Sequence, residues 1–156
     1  AGPYHNFTVP QACGVVAVMA PHEPALLGMV SMVSAAMVMG NSVVAVAPPP
    51  AAWTAILLAE AMAVSDVPPG AVNILTGDPA ELVAPLGGHR EVAVVMAAGL
   101  SRSLRQRLRM VAADGLRRVH HLTWSASEWA DDAIVATPDV LEHVCEFKTL
   151  WHPSAS

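Results

Sequence analysis

The fold is decided by residues 67–78, Val-Pro-Pro-Gly-Ala-Val-Asn-Ile-Leu-Thr-Gly-Asp, which follow the shorter stretch Gly-Asn-Ser-Val-Val at 40–44. The two adjacent prolines cannot continue a preceding helix, and Gly70 supplies the free backbone dihedral angles of a sharp turn. The apolar run 71–75 is typical of a strand, and it ends in a loop that contains Gly77. A helix that stops, a turn and a short apolar strand therefore predict one helix-to-strand unit.

The same alternation continues along the chain on both sides of this unit. Strand-length apolar runs rich in β-branched residues, typical of strands buried on both faces, lie at 14–19, 42–47, 71–75 and 91–96, and 117–122 could be one more. Helices are predicted over 25–39, 53–65, 79–86 and 101–113. The pattern predicts an α/β fold with three layers and a doubly wound, mostly parallel sheet.

The C-terminal part of the chain has a different pattern. Residues 123–137 show no firm period and are predicted to form a loop, a helix is predicted to start within 138–144, and 146–153 are predicted to form an edge strand. We therefore divide the chain into a main domain, 1–122, and a tail, 123–156. The tail contains Trp124, Trp129 and Trp151, which we interpret as anchors against a neighbouring surface.

Composition narrows the functional classes. Apolar residues make up 54% of the chain and charged residues 13%, which excludes a disordered segment. Two explanations of this high apolar content stay open, and both can hold. One is enrichment in Ala and Val, as in proteins of GC-rich bacteria, and the other is a large surface covered by another subunit. The net charge of −5 leaves no basic excess for nucleic acid. The arginines of 102–118 are interpreted as a solvated or partner-facing helix face.

Cysteine, histidine and hydropathy patterns predict no disulfide, metal or membrane span. Cys13 and Cys145 form neither a disulfide framework nor a metal motif, so a reducing cytoplasm is the expected compartment. Adjacent side chains on a strand point to opposite faces, so His120 and His121 are not expected to share a metal ion. The longest apolar stretch, 25–38, is shorter than the roughly 20 residues of a transmembrane helix. The chain does not begin with Met, so residues before the first one stay an open question.

Four motifs resemble the cofactor domain and C-terminal strand of the aldehyde dehydrogenase superfamily. Residues 40–44 and 67–78 resemble "GN(T/S)VV" and "(L)PPGVVN(V/I)(V/L)TGD", and 14–21 resemble "GVVGVI(T/S)P". Residues 146–151, Glu-Phe-Lys-Thr-Leu-Trp, are similar to "(Y/F)xExKTVW", which adds a strand in the family's oligomer. The resemblance implies a Rossmann-like domain that binds NAD or NADP. It also implies a missing catalytic domain, because that domain would lie between the last cofactor-domain helix and this strand.

The family's catalytic groups have no counterpart at the matching positions. The nucleophilic Cys of the "GQxC" motif is not found, and Cys13 precedes the first predicted strand. Cys145 lies near His143 and His152 in the sequence, so a thiol–imidazole pair is conceivable on paper, although burial in packing is the expected role. The turn that carries the oxyanion-stabilising Asn reads Pro-His-Glu-Pro here, with His22 and Glu23. A carboxylate would repel an oxyanion, so a solvated turn is the main interpretation and a His/Glu acid–base pair the alternative.

Cofactor-binding groups are also replaced. The family's ribose-binding Lys and the following Pro-Ser-Glu correspond to 46–49, Val-Ala-Pro-Pro, and its "FTGS" turn corresponds to 97–100, Ala-Ala-Gly-Leu. The second glycine of that region is Leu104. The residues that remain as candidates for binding NAD or NADP are Gly77, Gly99 and Ser101.

These patterns lead to two functional hypotheses. The first is a non-catalytic, aldehyde dehydrogenase-like pseudoenzyme, a structural or regulatory subunit that forms a homo-oligomer or a complex with a full-length aldehyde dehydrogenase. The alternative is an NAD(P)-binding component of an oxidoreductase acting on aldehydes, with another chain supplying the chemistry. A third interpretation, a piece of a larger enzyme, stays open. The substrate is not predicted by any motif.

Overall fold

The computed structural model describes residues 4–153 and contains two sheets and seven α-helices within that part of the chain. The strands are β1 (Tyr4–Ala12), β2 (Val15–Met19), β3 (Ser42–Ala47), β4 (Val72–Thr76), β5 (Val92–Ala98), β6 (Arg118–Leu122) and β7 (Cys145–Pro153). The helices are α1 (Ala25–Val38), α2 (Ala52–Ala63), α3 (Pro79–Gly88), α4 (Arg102–Ala113), α5 (Ala126–Trp129), α6 (Asp132–Val135) and α7 (Pro138–Glu142). None of the helices in this part of the chain is long and apolar enough to cross a membrane.

Five strands form one parallel sheet in the order β4-β3-β2-β5-β6. From the central strand β2, the chain adds β3 and then β4 on one side. It then adds β5 and β6 on the other side of β2. Helices link the strands at each step. The predicted α/β class and the doubly wound, parallel sheet are therefore confirmed, including the strand that the sequence left optional at 117–122.

The central strands β2, β3 and β5 are largely buried between helices on both faces, which gives the three layers. Alternate residues of β2 face opposite cores: Val16 and Val18 pack with α1 and α2, while Ala17 and Met19 pack with α3 and α4. Each of these four side chains is at most 1% exposed. Covering on both sides explains why the strands are continuous apolar runs instead of alternating ones.

Asn41 joins three parts of the fold. Its Oδ1 accepts hydrogen bonds from the backbone N–H groups of Cys13 at 2.7 Å and Gly14 at 3.1 Å. Its Nδ2 donates to the carbonyl oxygens of Ala36 at 2.9 Å and Val144 at 2.8 Å. The sequence suggests a helix-ending role for Gly-Asn at 40–41, but only the glycine has a positive φ, +84°. The asparagine instead links α1 to the end of β1 and the start of β7.

The predicted loop at 123–137 is wrong, because this segment contains α5 and α6. Ser125 begins α5 with a reciprocal capping box in which its side chain and that of Glu128 satisfy each other's backbone N–H groups. Asp131 caps α6 by accepting from the N–H of Ala133 at 2.9 Å. Single-turn helices of this kind have no apolar period to detect, so only their caps carry a sequence signal. The helix predicted to start in 138–144 is α7.

The predicted role of the tail tryptophans as surface anchors is also wrong in part. Trp129 is 1% exposed and belongs to the core on the α1 side of the sheet, so it does not anchor a neighbouring surface. Trp124 packs edge-on against it, with ring centroids 4.7 Å apart. Trp151 alone, 72% exposed, has the accessibility that a surface anchor needs.

The remaining two strands form a separate antiparallel ribbon. β7 is the edge strand expected at 146–153, and it pairs along its full length with β1, a strand that the sequence patterns do not predict. The Tyr, Phe, Thr and Val residues of β1 are the signal that could have revealed it. Paired positions such as Asn6 and Trp151, or Phe7 and Leu150, share a face of the ribbon. Nearly all ribbon residues are exposed.

Candidate functional site

A cleft opens at the carboxyl ends of β2, β5 and β6. The chain reverses its direction of growth between β2 and β5, and this switch point is where doubly wound sheets bind their ligands. The cleft has a volume of about 380 Å³ and is lined by the turns after the three strands, by Arg105 of α4 and by two tryptophans. Its position makes it the candidate functional site.

Two glycines let the turn after β2 pack closely at this cleft. Gly99 has a φ of +68°, and a Cβ on it would lie 3.3 Å from Cα of Pro21 and 3.4 Å from the backbone nitrogen of His22. Gly28 of α1 is buried, and a Cβ there would lie 2.7 Å from Cδ of Pro21. A side chain at either position would displace Pro21 and with it one wall of the cleft.

Of the three predicted cofactor-binding residues, one lines this cleft. Gly99 lines the cleft. Ser101 caps α4, with its Oγ accepting from the N–H of Leu104 at 3.3 Å, and it lies outside the cleft lining. Gly77 follows the edge strand β4, which β3 and β2 separate from β5; at ~4.8 Å per strand spacing, this offset is about 14 Å.

Two basic side chains that sequence reasoning did not select lie in the cleft lining, Arg105 and His121. Arg105 belongs to the arginines interpreted as a solvated or partner-facing face, but it is half-buried. Burial, followed by the nearby guanidinium groups of Arg109 and Arg105, lowers the pKa of His121 from its ordinary value. The sequence feature that could have identified Arg105 is its position four residues after the helix cap Ser101, which is about one turn along α4.

Apolar and aromatic side chains form another part of the lining. Trp124, Trp129, Leu122 and Leu100 line the cleft together with the turn that contains Pro21. An apolar surface beside basic groups suits a ligand that has a charged end and an apolar body.

His22 and Glu23 lie in the turn after β2 and line the cleft, as their alignment with the family's oxyanion turn implies. Both side chains are exposed, which agrees with a solvated turn. No ion pair or hydrogen bond joins them in the part of the chain that the structure describes. The turn contains no side-chain amide that could stabilise an oxyanion.

The cysteines lie at the opposite ends of the strands. Cys13 Sγ is 2.6 Å from a guanidinium nitrogen of Arg118, and burial raises the pKa of this thiol although Arg118 opposes the shift. Cys145 is 2% exposed. Within residues 4–153 no hydrogen bond joins Cys145 to His143, and the His143 ring stacks on His120 with centroids 4.2 Å apart. Residues 4–153 contain no group of three or more potential metal ligands.

NAD(P) is the cofactor that the motif resemblance implies, and the end of β3 does not fit its adenosine ribose. Ala47 and Pro48 are buried there, and a 3₁₀ turn over Pro49–Ala51 follows. Alkyl groups and prolines offer no side-chain donor or acceptor for ribose hydroxyls. On the other side of the switch point, the Ser101 hydroxyl is used in capping, so a phosphate would meet backbone N–H groups of α4. The residues at the end of β3 therefore do not fit a dinucleotide that is held through its adenosine ribose.

The sequence of this chain is similar to those of known proteins. The sequence model of the aldehyde dehydrogenase family matches residues 2–124. The aminoacetaldehyde dehydrogenase of Pseudomonas aeruginosa is 32% identical over 111 residues, an alignment that covers 71% of this chain and 22% of that protein. This chain therefore spans less than a quarter of that relative's length.

Solved structures show the same fold. PnpE from Pseudomonas sp. WBC-3, in complex with nicotinamide adenine dinucleotide, superposes with a TM-score of 0.71 at 22% identity over 76% of this chain and 24% of PnpE. An aldehyde dehydrogenase from Bartonella henselae superposes with a TM-score of 0.69 at 24% identity over 74% of this chain and 24% of that one. The structural likeness supports the fold, and the sequence match over most of its length shows that this chain belongs to the aldehyde dehydrogenase family.

Proposed function

We propose that this chain is a non-catalytic structural or regulatory member of its family, which assembles with a second copy of itself or with a complete aldehyde dehydrogenase. The observation that carries the proposal is the direct connection between β6 and β7. Only residues 123–144 lie between these strands, and Trp129, Val140 and Val144 of this segment belong to the hydrophobic core. In the family pattern that the sequence resembles, the much longer catalytic domain occupies this place.

The chemistry of the described residues supports a non-catalytic role. Aldehyde oxidation in the resembled family needs a thiolate that attacks the carbonyl carbon and donors that hold the resulting oxyanion. Neither Cys13 nor Cys145 lines the cleft. Cys13 lies just before β2, whose five residues separate it from the cleft end by about 16 Å at ~3.3 Å per residue. A thiol at that distance cannot attack a carbonyl group bound at the cleft.

The ribbon of β1 and β7 supports assembly. A two-stranded ribbon is marginally stable in water on its own and needs a covering surface. Here both faces are exposed, and one face presents Tyr4, Phe147 and Trp151 at 57%, 58% and 72% exposure. Large aromatic side chains are over-represented at the energetic centres of interfaces. The ribbon also has free backbone edges to which a strand of another chain can pair.

Size-exclusion chromatography with light scattering tests the assembly role, for the chain alone and mixed with an aldehyde dehydrogenase encoded beside it. We expect a mass above that of one chain in at least one of the two samples. Trp151→Ser should dissociate the complex, whereas Trp53→Ser should not, because Trp53 is equally exposed at 72% but lies on α2, away from the ribbon. A strict monomer in both samples, or equal dissociation by both variants, would refute the proposal.

The cleft at the switch point favours one alternative, an NAD(P)-binding component whose chemistry comes from another chain. Gly99 in the lining and the capped start of α4 are the features that support it. The missing donors at the end of β3 oppose it. Calorimetric titration with NAD+ and NADP+ tests this alternative: saturable binding would support it and no saturable heat would exclude it, whereas the assembly role is tested by the oligomeric state.

A further inference from the structure

The cleft contains a cationic group without a matching anion. Within residues 4–153 the side-chain ion pairs are Arg90 with Glu91 and Arg118 with Glu146, so Arg105 is not part of any of them. It also forms no side-chain hydrogen bond in this part of the chain, unlike Arg107, which donates to the carbonyl oxygen of Ala80. A half-buried guanidinium group that lacks an acceptor offers two parallel donors to a carboxylate or phosphate.

His121 lies in the same positively charged part of the cleft. Its Nε2 is buried and has no hydrogen-bond partner in the described residues. The guanidinium groups of Arg109 and Arg105 act with burial to lower its pKa. A bound anion beside Arg105 and the His121 ring would offset this charge and favour the imidazolium form.

Glu23 is the acidic group in the cleft lining. It forms no ion pair with Arg105, so its charge does not neutralise the guanidinium through direct contact. A ligand anion bound at Arg105 would experience repulsion from this carboxylate, which depends on their separation and the solvent between them. Removal of the Glu23 charge should therefore favour an anion.

We propose that the cleft binds a small organic anion whose carboxylate or phosphate lies between Arg105 and His121 and whose apolar body packs on Trp124. The volume of about 380 Å³ lies at the small end of the range of ~300–1,000 Å³ typical of ligand pockets, which favours a compact ligand over a dinucleotide. This site is independent of the assembly role, so either proposal can fail without the other.

Nuclear magnetic resonance titration of the full chain tests this site, with the His121 ring signals as the readout. The probes are 3-phenylpropionate, phenyl phosphate, inorganic phosphate and the neutral 3-phenylpropanamide. We expect saturable shifts with at least one of the two aromatic anions, a rise in the His121 pKa when that anion is bound, and weak or no response to the amide. A response to phenyl phosphate alone would identify a phosphate site, and a response to 3-phenylpropionate alone a carboxylate site.

Matched variants locate the anion. Arg105→Met should weaken binding by about tenfold or more, the loss expected for a charge-assisted hydrogen bond. Arg102→Met removes the same charge from the same helix outside this cleft and should change the Kd less than threefold. Glu23→Gln should tighten binding. If Arg105→Met does not fold, Arg105→Lys keeps the charge but loses the planar fork, and weaker binding is again expected.

Three results would overturn the proposal. One is no saturable shift with either aromatic anion at 10 mM, on the order of the weakest useful affinity. The second is equal binding of 3-phenylpropionate and its amide, which would mean that the charge is not recognised. The third is an equal effect of Arg105→Met and Arg102→Met, which would assign binding to the general field of α4.

Discussion

Replacement of Asn41 by alanine should destabilise the fold and loosen the ribbon together. This side chain is 5% exposed and holds the N–H groups of Cys13 and Gly14 and the carbonyl oxygens of Ala36 and Val144. Ala36 keeps one bond, because the backbone N–H of residue 41 also donates to its oxygen. Four backbone groups would therefore lose the Asn41 side chain as a partner, and three of them, all except Ala36, would keep no bond to residue 41.

The magnitude follows from these three groups. An unpaired buried polar group costs about 1–3 kcal/mol, and water can reach the partly buried pair at Cys13 and Gly14. We therefore expect Asn41→Ala to lower the free energy of unfolding by about 3–5 kcal/mol, at the low end of that additive range. Asn41→Asp should cost at least as much at neutral pH: its carboxylate can still accept from the two N–H groups, but it cannot donate to the two carbonyl oxygens and places a buried charge against them.

Urea unfolding followed by circular dichroism measures this loss, since the midpoint and slope together give the free energy of unfolding. Asn73→Ala is the matched control: its amide donates to the carbonyl oxygen of Gly70 at 2.9 Å in an exposed bond and to that of Val43 at a long 3.4 Å. The control should lose less than about 1 kcal/mol. If Asn41→Ala and Asn73→Ala had equal stabilities, the inferred role of Asn41 as the link between α1 and the ribbon would be refuted. Faster amide exchange in β7 of Asn41→Ala alone would confirm that the ribbon is loosened.

Two further predictions concern the C-terminal segment. Trp129→Ala should lower the free energy of unfolding by about 3–5 kcal/mol, because truncation of a buried tryptophan leaves a cavity. Trp53→Ala, at a 72% exposed position, should change the free energy of unfolding by less than about 0.5 kcal/mol. Similar losses in both variants would place 123–144 outside the cooperative fold. Burial, the facing His143 ring and Arg118 lower the pKa of His120 to about 4, so in the window from about 6.5 to 4 the unfolded chain binds this proton and the folded chain does not. Stability should therefore fall as the pH falls through that window, and His120→Phe should show a shallower fall in urea unfolding; an unchanged or steeper pH dependence would contradict the assigned burial.

The parallel sheet could be predicted from sequence because its strands are buried on both faces. Continuous β-branched runs such as 14–19 and 42–47 have few alternatives once helices separate them. The short helices at 126–135 could not be predicted by periodicity, because each is a single turn whose position depends on caps and on Trp129 packing into the core. β1 was missed because its pairing partner, β7, lies at the other end of the chain.

The site was predicted only where the motif and the topology agree. Gly99 was found because a tight turn after a central strand needs a positive φ. Gly77 was selected on its motif alone, and strand order then placed it at the edge of the sheet. Arg105 and His121 lie on consecutive elements, α4 and β6, and only the packing of α4 beside the end of β6 brings their side chains into one cleft. No local pattern contains that information.

The central claim is that the fold of a dinucleotide-binding domain persists here without the groups that hold a dinucleotide. Calorimetric titration of the full chain with NAD+ and NADP+ tests it most directly. With no ribose-binding side chain at the end of β3, each lost hydrogen bond costs about 1–3 kcal/mol, so we expect no saturable heat up to millimolar cofactor. Saturable binding of either cofactor at micromolar concentrations, retained in the Trp151→Ser variant, would contradict the account.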